Sequence, residues 1–98
     1  MDTYEIILKR SAIADLDALR KYDASQIADA MEKHLLHDPT KESKSRIRRL
    51  RGISNPDYRL RVGDYRVFYN VDDHARRVDV LRVMHKDQTL PFYRELKR

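Results

Sequence analysis

The chain has 98 residues, a length that suits one folded domain spanning 1–98 and leaves no room for a second. It contains no cysteine, which excludes disulfides, thiolate metal sites and a cysteine nucleophile. Its 21 Lys and Arg residues against 16 Asp and Glu residues give a formal charge of +5, which favours an acidic partner such as nucleic acid.

The N-terminal residues lack a basic signal region, and no apolar run approaches the roughly 18 residues that a membrane-spanning helix needs. We therefore expect a soluble, cytoplasmic protein with no membrane partner.

A strand and two helices are predicted first. Residues 3–9 alternate apolar side chains on one face, which predicts a strand. Ser11 is the predicted N-cap of a first helix. Asp23 and Gln26 form a predicted capping box for a second helix, which ends before Pro39.

The next segment, residues 41–51, is strongly basic and has Glu42 as its single acid. It is predicted to be a loop or a short strand. Its cations suit a chain that follows a phosphate backbone, and a solvated charged loop is the alternative. The candidate RNA-binding side chains in it are Lys44, Arg46, Arg48, Arg49 and Arg51.

Residues 57–71 are predicted to form a β-hairpin. Gly63 and Asp64 lie between two alternating apolar runs, and Gly at the first central position suits a two-residue type II′ turn. If Val62 pairs with Tyr65, one face of the hairpin is apolar. The residues of that face are Tyr58, Leu60, Val62, Tyr65, Val67 and Tyr69.

The other face of this hairpin is cationic. The same register places Arg61 opposite Arg66 and Arg59 opposite Phe68. Two facing arginines repel each other by roughly a few tenths of a kcal/mol, and an anionic ligand would relieve that repulsion. The alternative is an exposed strand face that arginine keeps soluble.

The last predicted elements are an internal strand over residues 77–84 and a short helix that Thr89 and Pro91 open. His85 and Lys86 follow the strand. His85 can move a proton near neutral pH, whereas arginine only stabilises charge. Tyr93 can donate a proton or stack on a base, or it can simply pack the last helix onto the sheet.

These elements predict an α+β fold, with an N-terminal helical hairpin packed on one face of an antiparallel β-sheet and a short C-terminal helix. The other face would be free to bind. His34 and His37 lie three residues apart, but no cluster of acids accompanies them, so no metal site is expected. No cofactor is expected either, since two glycines cannot build a glycine-rich phosphate loop.

Three segments together resemble the RelE-like toxins of the RelE/ParE toxin–antitoxin superfamily. They are LRGISNPDYRLRVGDYRVFYNV at residues 50–71, VDVLRVMHK at residues 78–86, and a tyrosine near the end. The resemblance covers nearly the whole chain. It implies a ribosome-dependent endoribonuclease that cuts messenger RNA and is silenced by a cognate antitoxin, with which it forms a hetero-oligomer.

Matched residue by residue, the resemblance implies a catalytic set, and Arg82 is a further candidate RNA-binding residue. The implied catalytic residues are Arg59, Arg61, Arg66, His85, Lys86 and Tyr93. Arginine does not act as a base in the useful pH range. The residues fit a metal-free route in which the RNA 2′-hydroxyl attacks its own phosphate, arginines stabilise the charge, and His85 or Tyr93 handles protons.

Two other functions remain open from the sequence. One is a ParE-type toxin of the same fold, which poisons DNA gyrase. The other is a nucleic-acid-binding module without catalytic activity, which the net charge also fits.

Overall fold

The computed structural model describes residues 3–97, and its elements confirm the predicted α+β class. No helix in this part of the chain is long and apolar enough to cross a membrane. The elements in chain order are β1 (Glu5–Leu8), α1 (Arg10–Asp17), α2 (Lys21–Leu35), β2 (Ile47–Arg49), β3 (Tyr58–Val62), β4 (Tyr65–Asp72), β5 (Arg77–His85), a 3-10 turn (Lys86–Gln88) and α3 (Thr89–Leu96).

The strands form one sheet in the order β1-β5-β4-β3-β2. Neighbouring strands are antiparallel, except that β1 runs parallel to β5, with Glu5 opposite Arg77. Since β1 pairs only with the first half of β5, α1 lies beside the second half. There the Asp15 carboxylate accepts a hydrogen bond of 2.8 Å from the backbone N–H of Val83. The side chain of Asp15 thus replaces a strand partner at this edge.

Helices α1 and α2 pack on the apolar face of the sheet, as predicted. The side chains buried between the layers include Ala12, Ile27, Met31, Leu35, Leu60, Val67, Tyr69, Val78 and Val80. This core fixes which face of the hairpin is turned towards the helices and which is turned away.

Both helices start at positions that differ from the prediction. Helix α1 follows Lys9 and has no side-chain cap, so the predicted Ser11 cap is wrong. Helix α2 follows Arg20, so the predicted capping box at Asp23 is also wrong. The Asp23 carboxylate instead accepts a hydrogen bond of 3.3 Å from the Tyr65 hydroxyl and lies 3.5 Å from the Arg20 guanidinium.

The predicted hairpin is confirmed as β3 and β4. Gly63 has φ of +55°, and among residues 3–97 Arg76 is the one non-glycine residue with positive φ, so Asp64 has the negative φ that a type II′ turn requires. The cross-strand pairs are those predicted: Val62 with Tyr65, Arg61 with Arg66, and Arg59 with Phe68.

The second face of the sheet is not entirely free, because α3 packs over part of it. Phe68 is fully buried there, with its ring centroid 4.9 Å from that of Phe92 and 5.8 Å from that of Tyr93. The expectation of an open binding face therefore holds only beside this helix, where Arg61 is exposed. Helix α3 therefore borders the exposed part of this face.

Candidate nucleic-acid interface

Four arginines on neighbouring strands form two facing pairs on the face that α3 partly covers. Arg48 of β2 lies opposite Arg59 of β3, and Arg61 of β3 lies opposite Arg66 of β4. Because the two residues of each pair are directly opposite each other, strand pairing holds their Cβ atoms about 5 Å apart. Because like charges facing each other destabilise a sheet, this arrangement favours an anion between them.

Arg66 is the best-held member of this group. Its Nη1 atom donates hydrogen bonds of 2.9 Å to the carbonyl oxygens of Gly63 and Tyr65. These two bonds fix the guanidinium over the hairpin turn, beside the exposed side chain of Arg61. An arginine held in this way is preorganised to stabilise a negative charge.

Arg59 is partly buried beneath α3. Its Nε atom is buried and has no hydrogen-bond partner among the described residues. Burial lowers the pKa of Arg59, and the charge of Arg66 lowers it further. A buried N–H group without an acceptor destabilises the folded state, and the neighbouring positive charges add to that cost. An anionic acceptor would therefore stabilise Arg59 more than it would stabilise an exposed arginine.

Tyr93 of α3 lies on the same face. Burial raises the pKa of Tyr93, and the positive charges of Arg59 and Arg66 on the same sheet face partly oppose that effect. The hydroxyl is therefore protonated at neutral pH and can donate a proton or a hydrogen bond. The packing of Tyr93 against Phe68 also supports the alternative structural role, in which Tyr93 packs α3 onto the sheet.

His85 lies on the opposite face of the sheet. It pairs with Tyr65, and the two rings meet edge to face at 5.6 Å on the side that α2 covers. Its Nδ1 atom accepts a hydrogen bond of 3.1 Å from the backbone N–H of Asp87, so the neutral ring carries its hydrogen on Nε2. The structure therefore does not bring His85 together with the arginines.

Lys86 contacts the hairpin turn through both its backbone and its side chain. Its backbone N–H donates to the carbonyl of Asp64 at 2.7 Å, and its Nζ lies 3.5 Å from the Asp64 carboxylate. This exposed ion pair contributes little to stability. Its position keeps a cation at the end of the hairpin that carries Arg66.

The predicted RNA-binding cations have different surroundings. Lys44 is exposed, and Arg46 donates a hydrogen bond of 3.4 Å to the carbonyl of Arg61.

Arg49 is on the helical face, where its Nη1 donates to the Tyr58 hydroxyl at 3.0 Å. Arg48 and Arg51 line a cavity together with Arg59. Arg48 already belongs to the arginine pairs, and Arg51 adds a further cation beside them.

Arg82 is already engaged within the fold. Its Nε donates to the Asp15 carboxylate at 2.8 Å, and its guanidinium lies 5.7 Å from the centroid of the Phe92 ring. The hydrogen bond to Asp15 raises the pKa of Arg82. Because Asp15 compensates its charge, Arg82 adds less positive potential than the other arginines.

Two cations that the sequence reading missed, Arg94 and Lys97, line the same cavity as Arg48 and Arg51. The cavity has a volume of about 420 Å³ and lies between the β2–β3 edge and α3. Leu90, Arg94 and Lys97 are spaced four and three residues apart, which places them on one side of a helix. That spacing could have identified the helix face, but not the strand against which it packs.

Among residues 3–97, no group of three or more His, Cys, Asp or Glu side chains is arranged to hold a metal ion. The histidines at positions 34 and 37 therefore have no third ligand in this part of the chain.

The chain is similar to several solved toxin structures. It is 26% identical to a chain of the toxin–antitoxin complex RelBE2 from Mycobacterium tuberculosis, with a TM-score of 0.65 over 87% of this chain and 93% of that one. For the RelE–RelB complex of Pyrococcus horikoshii, the identity is 26%, the TM-score 0.64 and the coverage 86% and 96%. For a mutant of E. coli toxin RelE in the free state, the values are 25%, 0.68, and 96% and 94%.

Comparison with curated proteins gives no match. The family described as "ParE toxin of type II toxin-antitoxin system, parDE" matches residues 6–90, which is most of the chain. This match and the fold shared with the RelE structures show that the chain belongs to the RelE/ParE superfamily of type II toxin–antitoxin toxins.

Proposed function

We propose that the chain is a ribosome-dependent endoribonuclease that cuts messenger RNA in the cytoplasm. The observation that supports this proposal best is the packing of Tyr93 on Phe68, the strand partner of Arg59, which puts the phenol on the sheet face that carries the arginine pairs. Such a site holds a proton donor beside fixed positive charges, as cleavage of a phosphodiester requires.

In the proposed reaction, the RNA 2′-hydroxyl attacks the adjacent phosphate without a metal ion. Arg61 and Arg66 stabilise the charge that develops on the phosphate oxygens, and Arg59 supports them from beneath α3. Tyr93 donates a proton to the leaving 5′-oxygen. The 2′-hydroxyl proton passes to solvent water, because guanidinium stays protonated and the arginines cannot accept it. The P–O5′ bond breaks as the P–O2′ bond forms, which leaves a 2′,3′-cyclic phosphate and a free 5′-hydroxyl.

The remaining candidate residues would act around this centre. His85 faces the other side of the sheet and carries its free N–H on Nε2, so a hydrogen-bonding role at the site's border suits it better than proton abstraction. Lys86 and the basic segment would bind RNA phosphates near the ribosomal decoding site.

We also propose a cognate antitoxin as the partner that silences the chain. Two of the similar structures are toxin–antitoxin complexes. An acidic antitoxin segment laid over the arginine pairs would neutralise their repulsion and block RNA at the same time.

The proposal is tested by adding the purified chain to translating ribosomes with a defined message and mapping the new RNA 5′ ends. Ribosome-dependent ends are the expected result. An intact message at all protein concentrations would contradict the nuclease proposal.

A gyrase-inhibiting toxin is the second candidate, and the family description naming parDE favours it. It predicts an intact message together with inhibition of gyrase-catalysed supercoiling in a parallel assay. The two assays thus separate the candidates, because the same protein preparation enters both.

Replacing Tyr93 with phenylalanine should slow cleavage by about 10²-fold, since the ring packing on Phe68 remains and only the proton donor is lost. Because burial raises the pKa of Tyr93, the hydroxyl remains protonated as pH rises through the neutral range. The wild-type single-turnover rate should therefore show no loss attributable to Tyr93 from about pH 6 to 9. Rates of the two proteins across that interval provide the measurement, and equal rates would remove Tyr93 from the reaction.

A further inference from the structure

The cavity between the β2–β3 edge and α3 has two chemically different walls. Six cationic residues and no acidic residue line it, and Leu50, Ile53, Leu90 and Tyr93 supply an apolar and aromatic wall. Its volume of about 420 Å³ falls within the usual range for small-molecule sites. The cationic residues are Arg48, Arg49, Arg51, Arg59, Arg94 and Lys97.

The cations of this cavity are not compensated within the fold. The Arg49 side chain is turned to the helical face, where it donates to the Tyr58 hydroxyl, so the positive charge of the cavity comes from the other five cations. Those five have no carboxylate within 4.0 Å among residues 3–97. Arg59 adds the buried Nε without a partner. The helix dipole accounts for cations at the end of α3, but not for their convergence with Arg48 of β2 and with Arg51 in the connection that follows it.

The apolar wall indicates more than a simple anion site. Leu90 is 58% exposed beside the cations, and the half-buried Tyr93 ring adjoins it. Phosphate alone would use only the cationic wall. A flat, heteroaromatic base attached to a phosphate would use both walls, by stacking on the apolar side and pairing with guanidinium groups on the other.

We propose that this cavity binds one nucleotide, with its base against Leu90 and Tyr93 and its phosphate among Arg48, Arg51 and Arg94. The nucleotide is either one unit of an RNA chain or a free nucleotide. The inference extends the proposed function, since RNA on the arginine face would reach this cavity, but it requires no cleavage and no ribosome.

The experiment measures binding to the purified full chain by calorimetry. The probes are adenosine 5′-monophosphate, ribose 5-phosphate, inorganic phosphate, a short single-stranded RNA and a polyglutamate peptide. Arg94→Gln/Lys97→Gln should weaken binding of the RNA or of the free nucleotide by about tenfold. If RNA binds, the slope of log affinity against log salt should fall by about 0.7 for each phosphate contact that the two substitutions remove.

The matched control, Arg10→Gln/Lys33→Gln, removes one arginine and one lysine from exposed positions on the helical layer. It should leave binding unchanged. An equal loss in this control would mean that net charge alone is measured, and would overturn the assignment of the cavity.

A third variant, Leu90→Ala, separates the base from the phosphate. It removes an exposed side chain, so the fold should be kept, and it should weaken nucleotide binding about fivefold without changing binding of ribose 5-phosphate. RNA binding without free-nucleotide binding would assign the site to an RNA chain, and binding of both would admit the free nucleotide.

Three outcomes would overturn the proposal: no binding of either nucleotide form, equal affinity for ribose 5-phosphate and the nucleotide, or polyglutamate binding that exceeds both. The last would assign the cavity to an acidic protein segment. Cleavage by ribosomes without such binding would leave the nuclease proposal intact, while binding without cleavage would leave this inference intact.

Discussion

Arg66→Ala is expected to reduce ribosome-dependent cleavage by about 10²- to 10³-fold. The side chain is fixed by two hydrogen bonds to the hairpin turn and faces Arg61 across the strands. Its loss removes a preorganised positive charge where the phosphate would become more negative. Single-turnover cleavage with saturating programmed ribosomes measures the effect directly.

Arg10→Ala is the appropriate control, because it removes the same charge from an exposed position on α1. It should retain nearly all of the cleavage activity. Arg66→Lys adds a second comparison, since it keeps the charge but loses the planar fork. Full activity in Arg66→Ala, with an unchanged thermal midpoint, would remove this residue from the catalytic site.

Phe68→Ala is expected to lower the free energy of unfolding by about 3–5 kcal/mol. Phe68 is fully buried, and its ring contacts both Phe92 and Tyr93, so its truncation leaves a cavity between the sheet and α3. Chemical denaturation followed by circular dichroism gives the measurement. The loss should also reduce the protection of α3 amides against hydrogen exchange.

Phe68→Leu is the matched comparison, because it keeps an apolar side chain of moderate size. It should cost clearly less than the alanine variant. Equal stability of the wild type and Phe68→Ala would contradict the packing of α3 on the sheet.

The hairpin of β3 and β4 could be predicted from the sequence because its determinants are local. Alternation specifies the two faces, and Gly63 with Asp64 specifies the turn, which in turn sets the register. Helix α3 was predicted for a similar reason, since Thr89 and Pro91 mark its start. These features rest on neighbours within a few residues.

The positions of His85 and Arg94 relative to the arginine pairs could not be predicted from local sequence. His85 faces away from the arginines because β4 pairs Tyr65 with His85, and that register depends on contacts far apart in the chain. The convergence of Arg94 with Arg48 depends likewise on where α3 docks. Asp23 is a further example, because its local sequence predicts a helix cap. In the structure its carboxylate instead accepts a hydrogen bond from Tyr65, which is distant in the sequence.

The parallel pairing of β1 with β5 has a consequence for synthesis of the protein. Glu5 leaves the ribosome well before its partner Arg77, because the two are far apart in the sequence. The first strand therefore cannot join the sheet until β5 has been synthesised, and contacts of this range slow folding. The five-stranded sheet can therefore close only after β5 has been synthesised, and the core beneath β1 stays incomplete until then.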